Sequence, residues 1–143
     1  MNRKTFIQAT ILAISTTFAM GVAAQTTAPV KARVVFQVSD GDAGKWNLTL
    51  NNVKNVQQEL GVGKVAIEIV AFGPGIGMLK ADAVRSIRVA EATQSGIQVM
   101  ACENTMKAQK LTQADMNPAI SYVPAGVVEI MKRQGEGWAY IKP

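Results

Sequence analysis

From Ala32 onward, short apolar runs of β-type residues alternate with stretches of helical periodicity, and only a few loop residues separate one from the next. Ala32 to Ser39 (ARVVFQVS), Lys64 to Phe72 (KVAIEIVAF), Ile97 to Ala101 (IQVMA), Ile120 to Val123 and Trp138 to Ile141 read as five strands. Trp46, Leu50, Val53 and Leu60 recur at helical spacing, and Gly61 ends that helix. A second helix is expected over Leu79 to Gln94, with Leu79, Ala83, Ile87 and Ala90 on one face and Gly96 closing it. A short helix from Thr105, a helical turn near Thr112, and a helix over Ala125 to Arg133 with Pro124 at its first turn complete the series. Strands separated by helices are joined by crossovers, which implies a mostly parallel sheet covered on both faces. The expected fold is therefore a three-layer α/β/α domain over residues 32–143, with a mostly parallel five-stranded sheet of flavodoxin- or Rossmann-like kind.

The segment ahead of this domain reads as an address. Arg3 and Lys4 form a positive start, an apolar stretch runs from Phe6 to Met20, and Gly21-Val22-Ala23-Ala24 offers small residues before a cut at Gln25. That is the layout of a secretory signal peptide, and its apolar part is shorter than the ~20 residues a spanning helix needs. Residues 1–24 are expected to be removed, residues 25–31 to form a tether, and the protein to be periplasmic or secreted, with no membrane association afterwards. Arg3 and Lys4 lie in the removed part, so the formal charge falls from +5 to +3. The remaining basic residues are scattered, without the clusters of a nucleic-acid surface, so no nucleic acid is expected as a partner.

No His and one Cys stand in the 143 residues. A single chain therefore cannot assemble a thiolate/imidazole zinc site, a Ser-His-Asp triad or a Cys-His pair, and no metal is expected.

In open parallel sheets ligands bind beyond the carboxyl ends of the strands, which directs attention to three loops. After the third strand comes Cys102-Glu103-Asn104-Thr105-Met106. A thiol just ahead of a helix meets unpaired N–H groups and the positive end of the dipole, and both favour the thiolate. Asn104 or Thr105 can cap that helix and donate to a sulfur anion, whereas Glu103 opposes the charge. The alternative is that Cys102 is a small buried hydrophobe. After the second strand, Gly73-Pro74-Gly75-Ile76-Gly77 either brings backbone N–H groups to an anion or makes a tight turn; its spacing is not that of a P-loop or of GxGxxG. After the first strand, Asp40 and Asp42 read as turn and cap residues rather than as a calcium loop, since no Glu closes a twelve-residue stretch. Arg85 and Arg88, with Asp82 and Glu91 three residues away, read as a solvated ion-paired face. The aromatic-rich end Arg133-Gln134-Gly135-Glu136-Gly137-Trp138-Ala139-Tyr140 is either core or a subunit contact.

Taken together, Gly73-Pro74-Gly75, Cys102-Glu103-Asn104-Thr105-Met106, and Val123-Pro124-Ala125-Gly126-Val127-Val128-Glu129-Ile130 followed by Gln134 to Tyr140 resemble the exported branch of the DsrE-like (DsrE/DsrF) family. The resemblance spans residues 32–143. It implies a parallel five-stranded α/β/α domain that assembles into trimers or hexamers, and relay chemistry in which one cysteine after the third strand carries sulfur as a persulfide. Only Cys102 matches that position. The resemblance thus implies an exported sulfur-handling protein with Cys102 as the catalytic thiol, and Asn104, Thr105, Gly73 and Gly75 lining the substrate site. No cofactor is needed, and a thiol-containing acceptor protein would be the partner. The alternative is a non-catalytic oligomeric binding module in which Cys102 is structural; a third idea is a redox partner bonded through Cys102 to another chain. Without His, a general base could come only from Asp40, Asp42 or Glu103, so enzymatic turnover does not follow from the sequence.

Overall fold

The computed structural model describes residues 32–143; the expected signal peptide and tether lie outside the described residues. The elements are β1 (Ala32–Val38), α1 (Ala43–Leu60), β2 (Val65–Ala71), α2 (Ser86–Gln94), β3 (Gln98–Cys102), α3 (Glu103–Ala108), β4 (Ser121–Val123), α4 (Gly126–Gly135) and β5 (Ala139–Ile141). The sheet order is β4-β3-β2-β1-β5, and every pairing is parallel. β1 and β2 pair along their whole length, from Ala32 against Val65 to Val38 against Ala71.

Alternation along the strands divides the core in two. On one face Val34, Phe36, Ile67, Ile69, Val99 and Ala101 pack under Leu50 and Val53 of α1, Val89 of α2 and Met106 of α3. Phe36, Ile67 and Ile69 are 2% exposed or less, and burial at that level is worth roughly 1.5–3 kcal/mol per large side chain. The other face is thinner. There Val35, Val70 and Val123 pack against Ile130 of α4, with Phe72, Met100 and Trp138 partly buried around them.

Both expected ends of α1 hold: Asp42 caps its start by accepting from the Lys45 N–H at 2.9 Å, and Gly61 closes it. The turn near Thr112 also forms, as a 3-10 turn over Gln113–Asp115 in which Thr112 and Asp115 make a reciprocal capping box.

The second helix departs from expectation. Instead of running from Leu79 to Gln94, the chain forms a 3-10 helix over Gly73–Leu79, turns through residues 80–85, and starts α2 only at Ser86. Long-range partners explain the break. Lys80 makes a backbone bridge to Met116, Ala81 N–H donates to the Asp115 carbonyl, and Asn117 N–H donates to the Leu79 carbonyl. The buried Asn117 amide also donates to the Ser86 carbonyl at 2.8 Å. The later start changes the phase, so Val89 is fully buried while Ile87 is 75% exposed. Pro124 likewise precedes its helix by two residues rather than opening its first turn.

Candidate functional site

β3 and β4 are adjacent and parallel, so their carboxyl ends lie side by side. From β3 the chain enters α3 toward the first face, where Met106 is buried; from β4 it enters α4 over the second face, where Ile130 is buried. Loops that diverge in this way mark the point where ligand crevices form in open parallel sheets. Cys102, the last residue of β3, sits at that point and is buried, with 4% of its surface exposed.

Cys102 itself holds the N-cap position of α3, which places Glu103, Asn104 and Thr105 in the first turn. This corrects the expectation that Asn104 or Thr105 caps the helix. The Cys102 side chain makes no capping hydrogen bond as the thiol, yet donors surround it. Burial pushes the thiol pKa up, but the Thr105 hydroxyl and the N–H groups of Gly126, Thr105 and Asn104 outweigh it, and the net displacement is downward. The Asn104 N–H is shared with the Pro124 carbonyl at 3.2 Å, which ties the two loops together.

Thr105 is positioned from the neighbouring loop. Its Oγ1 accepts the Gly73 N–H at 3.0 Å, and Gln109 Nε2 donates to the Gly73 carbonyl at 3.2 Å. With its oxygen engaged as acceptor, the hydroxyl proton is free to point at sulfur. Gly73 has φ +53, and Gly75 lies where a Cβ would overlap the Val38 carbonyl. The Gly75 N–H donates to the Phe72 carbonyl at 3.1 Å. Both glycine N–H groups are thus engaged inside the protein, so this loop acts by placing Thr105, and Asn104 is the exposed member of the set.

The sequence reading assigned no role to Gly126. A Cβ there would stand 3.0 Å from the Phe72 ring and 3.3 Å from Cys102 Cβ, so glycine lets the start of α4 come this close without displacing either side chain. It also missed Glu68, which is fully buried on β2. Its Oε2 takes two bonds from Arg133 of α4, at 2.9 Å from Nε and 2.7 Å from NH2, while Oε1 has no partner among the described residues. Arg133 also meets Glu129 at 3.0 Å and Glu136 at 3.2 Å, and lies 4.8 Å over the Trp138 ring. A lone carboxylate within the apolar run VAIEIVAF was the available signal.

The other residues singled out are elsewhere. Asp40 pairs with Lys45 at 3.2 Å on the surface, and its carbonyl accepts the Trp46 indole N–H. Arg88 bonds Asn47 and Asn51 of α1, both at 2.8 Å, instead of the expected Glu91. Trp138 belongs to the second core, whereas Tyr140 is exposed and donates to Gln37 at 2.7 Å.

Among solved structures, the chain is 38% identical to MTH1491 from Methanobacterium thermoautotrophicum, a protein of unknown function. The match covers 78% of this chain and 99% of that one, with a TM-score of 0.75. The chain belongs to the family of MTH1491, and its fold is DsrE-like. Two more distant structures share the fold. BT1422 from Bacteroides thetaiotaomicron, of unknown function, is 15% identical over 78% of this chain and 94% of its own, with a TM-score of 0.64. The YchN protein of E. coli is 8% identical over 78% and 99%, also with a TM-score of 0.64. No family model and no curated protein matches this DsrE-like chain.

Proposed function

We propose that this chain is an exported DsrE-like sulfur-handling protein that carries sulfane sulfur as a persulfide on Cys102. The observation that carries the reading is the set of donors around Sγ: the Thr105 hydroxyl and the starts of α3 and α4 stabilise a thiolate. The thiolate attacks the outer sulfur of a donor R–S–SH, giving Cys102–S–SH and releasing R–S⁻. An acceptor thiolate then attacks that outer sulfur and regenerates the Cys102 thiolate. Neither step consumes an oxidant or requires a cofactor. The signal-like layout of residues 1–24 supports a periplasmic or secreted location. Exposed Val127, Val128 and Met131 on α4 support assembly into a homo-oligomer, as trimer or hexamer.

The test is intact mass of the 25–143 protein after exposure to polysulfide, without reductant, beside Cys102→Ser. A reductant-labile gain of one sulfur on wild type alone is the expected result; loading of the serine variant refutes the reading. The 4% exposure of Cys102 favours a second reading, an oligomeric binding module in which Cys102 is structural. It predicts no adduct and slow alkylation even at high pH.

A further inference from the structure

We infer that Glu68 and Arg133 are positioning residues for the Cys102 thiol: their buried ion pair fixes the placement of α4, and with it the Gly126 N–H that faces sulfur. The inference rests on Cys102 being the working thiol. A carboxylate with no exposed surface in an inner strand of a parallel sheet is a poor stability device, because an apolar pair of similar volume does as well or better. Its value lies in what it holds. Of the residues of α4, Gly126 and Ile130 are buried and Val127, Val128 and Met131 point outward, leaving Ile130 as the one large apolar anchor. One anchor permits a helix to pivot; the two-toothed grip of Arg133 on Glu68 Oε2 supplies a second, directional one.

The lever is short and stiff. Arg133 lies seven residues along α4 from Gly126, about 10 Å of helix. Gly126 sits against Phe72 and Cys102 with no side chain to absorb slack, so a small tilt is felt directly at sulfur. Direct electrostatics is a weak rival. Glu68 pairs across with Gln98, four residues before Cys102, which puts the carboxylate roughly 13 Å from the thiol along the strand. The other charges acting on Glu68, Glu129 and Lys132, oppose one another.

The two explanations predict different signs. Loss of the Glu68 charge would by field alone make the thiol more acidic, and loss of the Arg133 charge less acidic. Loss of the clamp makes it less acidic in both cases. The experiment is the pH–rate profile of iodoacetamide alkylation for wild type, Glu68→Gln and Arg133→Gln, each verified folded by cooperative urea unfolding. Expected is a wild-type midpoint below that of free cysteine. Both variants should shift upward, with rates at pH 7 lower on the order of threefold to tenfold, as for one weakened hydrogen bond to the anion. Gly126→Ala should shift it too, and adding Glu68→Gln to that variant should change nothing further. Variants that match wild type, or that shift in opposite directions, overturn the inference and leave the sulfur-carrier reading standing. A wild-type thiol that titrates like free cysteine overturns both. Shifted variants in a protein that never loads sulfur uphold the clamp and refute the carrier. If Glu68→Gln does not fold, Arg133→Gln and its coupling to Gly126→Ala decide the matter.

Discussion

Arg133→Met gives the clearest energetic test of the buried pair. Methionine retains much of the volume but removes the one partner that Glu68 Oε2 has among the described residues, leaving a fully buried carboxyl with neither oxygen bonded to them. An uncompensated charge there would cost about 3–5 kcal/mol, so the variant instead keeps Glu68 protonated in the native state. With an ordinary unfolded pKa of ~4.3, holding that proton at pH 7 costs about 3.7 kcal/mol. In the wild type burial raises the Glu68 pKa and Arg133 pulls it back, which limits this effect. The native variant binds one proton more than its unfolded chain above the unfolded pKa, so its stability falls as pH rises, by about 1.4 kcal/mol per unit. Because the wild-type Glu68 pKa is itself raised on balance, wild type also loses some stability over this range, and the gap between it and Arg133→Met should widen by at most about 2.7 kcal/mol between pH 5 and pH 7. Urea unfolding at the two pH values, followed by tryptophan fluorescence, measures it. A gap that is the same at both refutes the reasoning, because it would mean that Glu68 remains ionised and solvated without Arg133. Glu68→Leu combined with Arg133→Met should recover most of the loss and flatten the pH dependence.

Thr105→Val removes the acceptor of the Gly73 N–H and the donor to sulfur together. It should cost about 1–3 kcal/mol for the orphaned N–H and also raise the thiol pKa, read by urea unfolding and by alkylation. Gly75→Ala drives a Cβ into the β1 backbone, where nothing flexible yields; loss of several kcal/mol or of folding is expected, by at least the ~1–3 kcal/mol of ordinary overpacking. Because the Cys102 pKa is lowered on folding, the native state releases its proton first, and stability should rise between the folded and unfolded thiol values and be lost as pH falls through the folded one. Cys102→Ala should abolish that rise, seen as a wild-type urea midpoint that climbs relative to the variant's above pH 7.

Strand and helix order was legible because alternation and helical spacing are local properties, and crossovers then leave little choice of sheet. The start of α2 was not legible. Nothing near Leu79 stops a helix; the stop comes from Met116, Asp115 and Asn117, more than thirty residues away. The site shows the same division. Cys102 stood out by its place at a strand end, and Thr105 by its neighbourhood, but the donor role of Gly126 depends on a contact with β3 that no spacing encodes. Glu68 carried a visible sign in its apolar surroundings, while its partner Arg133 lies 65 residues on. A sequence can mark a buried charge as anomalous without saying what neutralises it.

The placement of Cys102 also explains how a chain with no His lowers the pKa of this thiol through hydrogen bonds. Adjacent parallel strands whose following helices go to opposite faces bring two helix starts to one point, and each start offers N–H groups with no partner within its own helix. Two sequence choices turn that generic feature into a site. Glycine at 126 lets the second helix approach, and threonine at 105, held by Gly73, adds a hydroxyl. Backbone donors of this kind do not titrate, so their contribution to the thiol's acidity depends on geometry. It should persist across pH and salt as long as α4 keeps its place, and for that reason the clamp at the far end of α4 belongs to the site as much as the groups that touch sulfur.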